Sequence, residues 1–266
     1  MSIFLLYIII GTLIGLLSGL LGIGGGLIAV PGLNWALSSQ GLPEGIVMHM
    51  AIATSLSTII FTASASIRAF NREGDIVWKL VKSFLPGICI GTLSGIIVSH
   101  YLLGRDLRII FGVFVFFVAI RLFFEKSETN SSAKSTTHTI HYPHFIAIVT
   151  GFCAGLLGVG GSIIIIPYLL FHRFTMRQAS GISIACALPI AIIAVISVIL
   201  SSWHVPKLPA YSTGYIYWPA TFGIALPSIF TVPLGAKLAR HLPQSKLRKI
   251  FAVFLIFVTF DMLFMR

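Results

Sequence analysis

Residues 15–33 read GLLSGLLGIGGGLIAVPGL, and residues 151–170 read GFCAGLLGVGGSIIIIPYLL. The two stretches match position by position: Gly15 with Gly151, Gly19 with Gly155, Gly22 with Gly158, Gly24 and Gly25 with Gly160 and Gly161, Pro31 with Pro167. More matches follow in the same order. AIATSL (51–56) aligns with ASGISI (179–184), GDIVW (74–78) with GYIYW (214–218), Gly95 with Gly235, and LRIIF (107–111) with LRKIF (247–251). Chance rarely orders so many blocks alike, so the chain reads as an internal duplication. The repeats take 1–124 and 143–266, joined by a polar linker over 125–142 that contains EKSETNSSAKSTTHTIH. A stretch of that composition forms no packed core.

The solvent for these repeats is lipid. Of 266 residues, 57% are hydrophobic and only 9% charged, against about 25% charged in a soluble domain. Eight apolar blocks stand out, near 3–38, 44–67, 76–103, 107–124, 143–171, 178–202, 214–239 and 250–265. Several are long enough to cross a bilayer, which needs about 20 residues. The first has no basic residue before it and no small-residue cleavage site after it, so it reads as mature structure. The net charge of +11 lies between the blocks, where the positive-inside rule accounts for it without nucleic acid. Cys89, Cys153 and Cys186 sit inside apolar runs with no CxxC spacing, which points to inert thiols and to no metal site. Nothing in the chain calls for a cofactor.

Charge also addresses orientation. If each block crosses once, the 18 Lys and Arg divide nine to nine between the two sides. If blocks one and five instead break at their glycines and return to the side they entered, the division becomes fourteen to four. Each half then crosses an odd number of times, and the halves are inverted relative to each other. The expected fold is an all-α polytopic membrane protein of two inverted repeats, with 8–10 membrane helices. Each repeat has about four apolar segments, the first broken at a Gly-rich turn. Both termini and the loop near 31–44 fall outside, the linker inside.

The broken segments are the candidate site. Each glycine in a helix interior costs about 1 kcal/mol relative to alanine, and Gly22, Gly24, Gly25 and Gly26 crowd the middle of block one. An interrupted helix in hydrocarbon leaves N–H and C=O groups bare, which is tolerated only inside protein or along a cavity. The restarting helix aims free amides and a positive dipole end at that cavity, and glycine lets an anion approach closely. Inverted repeats bring two such breaks together near the midplane. The candidate anion ligands are Gly22, Gly24, Gly25, Gly26, Gly158, Gly160, Gly161 and Ser162, with Asn34, Thr54, Ser55 and Ser183 as polar groups nearby. Pro31 and Pro167 are candidate hinges. Close packing alone competes as a reason for the glycines, and it accounts for Gly11, Gly15, Gly19 and Gly87, Gly91, Gly95. Hydroxyls in a helix also bond their own backbone. His49, His100 and Asp261 read as interfacial.

No HExxH occurs, and the glycine cluster fails GxGxxG, with Leu27 and Ile163 at the third glycine position. A transporter of a small anion is therefore favoured over an enzyme. A passive anion channel and a non-transporting membrane scaffold remain open, as do proton or sodium coupling and a homo-oligomer.

The twice-repeated GLxGxGG…P signature, each followed by AIATSL or ASGISI, resembles the TauE/SafE family of membrane transporters over nearly the whole chain. The resemblance implies a bacterial or archaeal inner-membrane protein that moves sulfur-containing anions such as sulfite or organosulfonates, usually outward. The family signature falls on Gly19, Gly22, Gly24, Gly25, Gly26 and Pro31, and again on Gly155, Gly158, Gly160, Gly161 and Pro167. Its Thr-Ser pair falls on Thr54 and Ser55. The second half departs from it with Ile182 in place of a Thr and Ser162 in place of a third glycine.

Overall fold

The computed structural model describes residues 3–21, 25–124, 143–203, 205, 208–238 and 244–264. Gly22, Gly24 and the linker expected over 125–142 lie outside the described residues. The first half forms α1 (Ile3–Leu21), α2 (Gly26–Ser38), α3 (Glu44–Arg72), α4 (Trp78–Tyr101) and α5 (Gly104–Phe124). The second forms α6 (Pro143–Leu157), α7 (Ser162–Phe171), α8 (Met176–Ser202), α9 (Trp218–Leu238) and α10 (Gln244–Phe264). A short hairpin, β1 (Ser212–Thr213) paired antiparallel with β2 (Ile216–Tyr217), precedes α9. Five of the described helices are long and apolar enough to cross a membrane: α1, α3, α4, α5 and α8. Side chains such as Ile97, Phe117, Phe257 and Phe260 stand exposed on the outside of the bundle, as lipid contact requires.

Blocks one and five are each two helices, and the first pair folds back on itself. Gly25 lies against Ile14 and Gly32 against Ile10. Beyond α2, Gln40 Nε2 donates to Tyr7 Oη at 2.8 Å near the start of α1. Later residues of α2 thus meet earlier residues of α1, so α2 runs antiparallel to it. In the second half, Thr150 of α6 meets Gly161 at the start of α7. Capping sharpens the boundary after α7: Thr175 and Gln178 form a reciprocal capping box that starts α8.

Helix directions decide how the halves relate. Arg177, at the start of α8, pairs with Glu73 and Asp75 just past the end of α3. His49, near the start of α3, stacks on Tyr215 beyond the end of α8. These equivalent helices are therefore antiparallel. Between α5 and α10, Arg108 Nη2 near the start of one donates to the Asp261 carbonyl near the end of the other at 3.1 Å. The exchange of halves reverses helix direction, which is the inversion expected from the charges.

The largest packing surfaces, α4 on α6 and α1 on α9, exchange under the same operation. Both pairs run parallel. Along α4, Gly87, Gly91 and Gly95 meet Ala147, Ile148 and Phe152 of α6 in ascending order, and Gly151 and Gly155 of α6 reciprocate. Lipid supplies no hydrophobic drive between helices, so such small residues gain stability by letting backbones touch. The Lys and Arg of the described helices lie at one end of the bundle, Arg105 and Arg108 excepted.

Candidate functional site

The break between α6 and α7 is built from two left-handed glycines. The Gly158 amide closes the last turn of α6 on the Ala154 carbonyl at 2.9 Å, and its own φ is +72°. At Gly161, the N-cap of α7, φ is +75° and ψ −10°. A side chain in that region costs roughly 1–2 kcal/mol, so glycine is the residue both turns require. The amides of Ile164 and Ile165 both donate to the Gly161 carbonyl at 3.2 Å. Those of Ser162 and Ile163 find no backbone partner among the described residues. Beside them the Ser162 hydroxyl is fully buried without a hydrogen-bond partner among the described residues. Two amides and one hydroxyl without partners among the described residues, together with a helix N-terminus, form a cradle suited to negative charge.

The opposite break comes into direct contact with this one. A Cβ on Gly26 would fall 2.6 Å from the Gly158 carbonyl oxygen and 2.8 Å from Val159 Cα. Gly26 thus presses its bare backbone on Gly158–Gly160 of the other half. Ser55 Oγ donates to the Gly158 carbonyl at 3.0 Å, and Ile52 and Val30 close around Gly158. Gly160 faces Ile59 and Ala187 at ordinary contact distance. Gly25 is right-handed, with φ −76°, where its counterpart Gly161 is left-handed. The two turns are therefore not identical. Gly22 and Gly24, the remaining candidates of the first break, are outside the described residues.

The polar candidates separate. Ser55 joins the breaks. Its equivalent Ser183 is fully buried with no partner among the described residues. Thr54 is engaged elsewhere: its hydroxyl accepts the Tyr217 amide of the hairpin at 3.1 Å. Ser57 Oγ lies 2.7 Å from Thr221 Oγ1, and Thr58 donates to the Thr54 carbonyl. Asn34 is buried on α2. Pro31 and Pro167 sit at the sixth position of α2 and α7. Each removes the amide that the carbonyl one turn back (Leu27, Ile163) would accept.

Two parts of the site escaped the sequence reading. Thr150 is fully buried against Gly161 with a hydroxyl unpartnered among the described residues, one position before Gly151. The hairpin, carried by the alternating GYIYW stretch, covers α3 next to the break. At the basic end, an open groove of about 550 Å³ runs along α7, walled by Arg121, Ile164, Pro167, Tyr168, Phe171 and His172. On that same end burial pushes the Asp75 carboxyl up from its ordinary range, although Arg177 Nε stands 3.4 Å away.

Comparison with known proteins agrees with this architecture. The family model described as sulfite exporter TauE/SafE matches residues 7–262. A probable membrane transporter protein of Haemophilus influenzae is 36% identical over 260 residues, covering 97% of each chain. One from Methanocaldococcus jannaschii is 28% identical, covering 91% of this chain and 89% of its own. The YunE protein of Bacillus subtilis, also a probable membrane transporter, is 24% identical over 96% of this chain and 95% of its own. No solved structure matches the chain.

Proposed function

Since the chain belongs to the sulfite exporter TauE/SafE family of membrane transporters, we propose that it exports a small sulfur-containing anion by secondary transport. The anion is an oxyanion such as sulfite or an organosulfonate, held between the two glycine breaks. The contact of Gly26 with Gly158–Gly160 is the observation that supports this reading most directly. Around it the ligands are the amides of Ser162 and Ile163, the hydroxyls of Ser162 and Ser183, and Ser55 as the group that steadies Gly158. Gly25, Gly26, Gly160 and Gly161 supply close approach. Asn34 and Thr54 line the route on α2 and α3. Pro31 and Pro167 are the hinges by which the half-helices part when one half rocks against the other. The basic end faces the cytoplasm of a bacterial or archaeal cell, and the protein sits in the inner membrane.

The test is counterflow. Purified protein in liposomes loaded with unlabelled sulfite accumulates labelled sulfite transiently, and Gly26→Leu reduces the signal to that of protein-free liposomes. Collapsing a proton gradient, or replacing sodium by potassium, identifies the coupling ion. Ohmic sulfite current without counterflow overturns the carrier in favour of a channel. Movement of neither sulfite nor taurine overturns transport of this substrate class.

A further inference from the structure

The inverted repeat places one cationic position at each end of α3 and α8, and the two positions differ in whether the charge can be removed. His49 and Arg177 occupy equivalent positions in the aligned segments, and so do Tyr215 and Asp75. At the basic end the pair is Arg177 with Asp75, joined by Glu73. At the opposite end the pair is His49 with Tyr215, rings stacked 5.1 Å apart at 27°. One end is held by a permanent cation, the other by an imidazole.

The surroundings of His49 are arranged for a cation. The residue is 9% exposed. Nδ1 lies 3.2 Å from the Gly45 carbonyl oxygen and Nε2 lies 3.1 Å from that of Ser99. A neutral imidazole carries one N–H and can serve one of these acceptors, leaving a lone pair against the other oxygen. An imidazolium donates to both. Ser99 is in the last turn of α4, where the helix dipole favours positive charge. The Tyr215 ring covers a face of the imidazole, as a cation–π contact does. Burial works against the charge, and these contacts work for it. A small cavity of about 20 Å³ adjoins it, walled by residues that include Ser99, His100, Gly155, Ser201 and Tyr215. Among the described residues the titratable groups facing it are His49, His100 and Tyr215, and no carboxylate does.

From these placements we infer that His49 is a proton-binding site, and that its protonation latches the Ser212–Tyr217 hairpin over the end of the transport path away from the basic face. The hairpin is tied to α3 at two points on one side: Tyr215 on His49, and the Tyr217 amide on Thr54 Oγ1. Ser202 Oγ holds the Tyr215 amide from the other side at 3.1 Å. Loss of the proton breaks the first tie and turns a His49 lone pair toward a carbonyl, which favours release of the hairpin. Arg177 keeps its charge, so the cation at the basic end cannot be switched off by losing a proton. The inference goes beyond the transport proposal and does not depend on the identity of the anion.

Hydrogen exchange of the amides in 211–217 tests it, on full-length protein in lipid nanodiscs with no substrate present. After correction for intrinsic exchange, protection falls as pH rises from about 5.5 to about 8.5. A one-unit difference in imidazole pKa between latched and released states makes that change about tenfold. His49→Gln removes the pH dependence and leaves protection low throughout. Tyr215→Leu keeps the imidazole and moves the midpoint to lower pH, while His100→Gln leaves the wild-type profile in place. A flat wild-type profile, or an unchanged one in His49→Gln, overturns the proposal. Because the readout needs no sulfite flux, its failure is distinct from failure of the transport reading.

Discussion

At Gly161 the backbone is left-handed, and a Cβ there would also fall 2.7 Å from Thr150 Cγ2. Its neighbour Gly160 has room, with Ala187 Cβ at 3.5 Å and Ile59 Cδ1 at 3.6 Å from where a Cβ would stand. The two alanine variants should therefore diverge. Gly161→Ala lowers stability by about 1–3 kcal/mol, the usual range for a strained backbone residue. Gly160→Ala stays within about 0.5 kcal/mol of the parent. Thermal unfolding of both in the same detergent decides the matter, and equal losses would mean that the turn is not set by φ at Gly161. That glycines crowd this point is legible from the sequence, because Gly158, Gly160 and Gly161 interrupt an otherwise bulky apolar run. Which glycine is forced by dihedral angle and which by a facing backbone is not legible, since Gly26 and Gly158 are far apart in the chain. Thr54 shows the same limit. A hydroxyl beside the break invites an anion, yet its partner is an amide 163 positions away.

At the scale of elements, the glycines of the repeated stretch serve two purposes, a break and a packing face. The packing face is expected from the spacing of Gly11, Gly15 and Gly19 in the first half. Gly151 and Gly155 belong to the motif that announces the break, but they also let α6 lie on α4. A Cβ on Gly151 would come within 2.6 Å of the Ile88 carbonyl, and one on Gly155 equally near that of Thr92. The small-residue spacing of Gly87, Gly91 and Gly95 marks α4 as a packing helix, without naming the helix it meets. Gly155→Leu should force α4 and α6 apart and cost about 1–3 kcal/mol, as overpacking does. The measurement is the melting temperature in detergent, with Gly45→Ala, where nothing lies within 4 Å of the added Cβ, as a control near the parent value. A Gly155→Leu protein as stable as the parent would show that the helices have room to spare. The hairpin before α9 was not legible at this scale. Its strands are two residues each, too short for a period to appear, and their aromatic residues blend into the apolar block that follows.

For the molecule as a whole, the arrangement of charges carries more information than any motif. An odd number of crossings per half turns a nine-to-nine division of Lys and Arg into fourteen to four, which the positive-inside rule favours. The antiparallel course of α3 and α8, held at one end by Arg177 with Glu73 and Asp75 and at the other by His49 with Tyr215, agrees with that expectation. Inversion has a consequence at the loops that follow the two half-helices. Ser38 closes α2 and Phe171 closes α7, both exposed and at nearly equivalent positions. In halves related by simple repetition they would face the same side; here they face opposite sides. With Cys89, Cys153 and Cys186 replaced by alanine, Ser38→Cys should react with a membrane-impermeant maleimide on intact cells. Phe171→Cys should react only after the membrane is opened, because it shares the basic end with Arg173 and Arg177. Reaction of both from outside, or of both only after permeabilisation, would remove the inversion. The pairing of two opposed breaks at the centre would fall with it, since only an exchange that reverses the helices brings Gly26 onto Gly158.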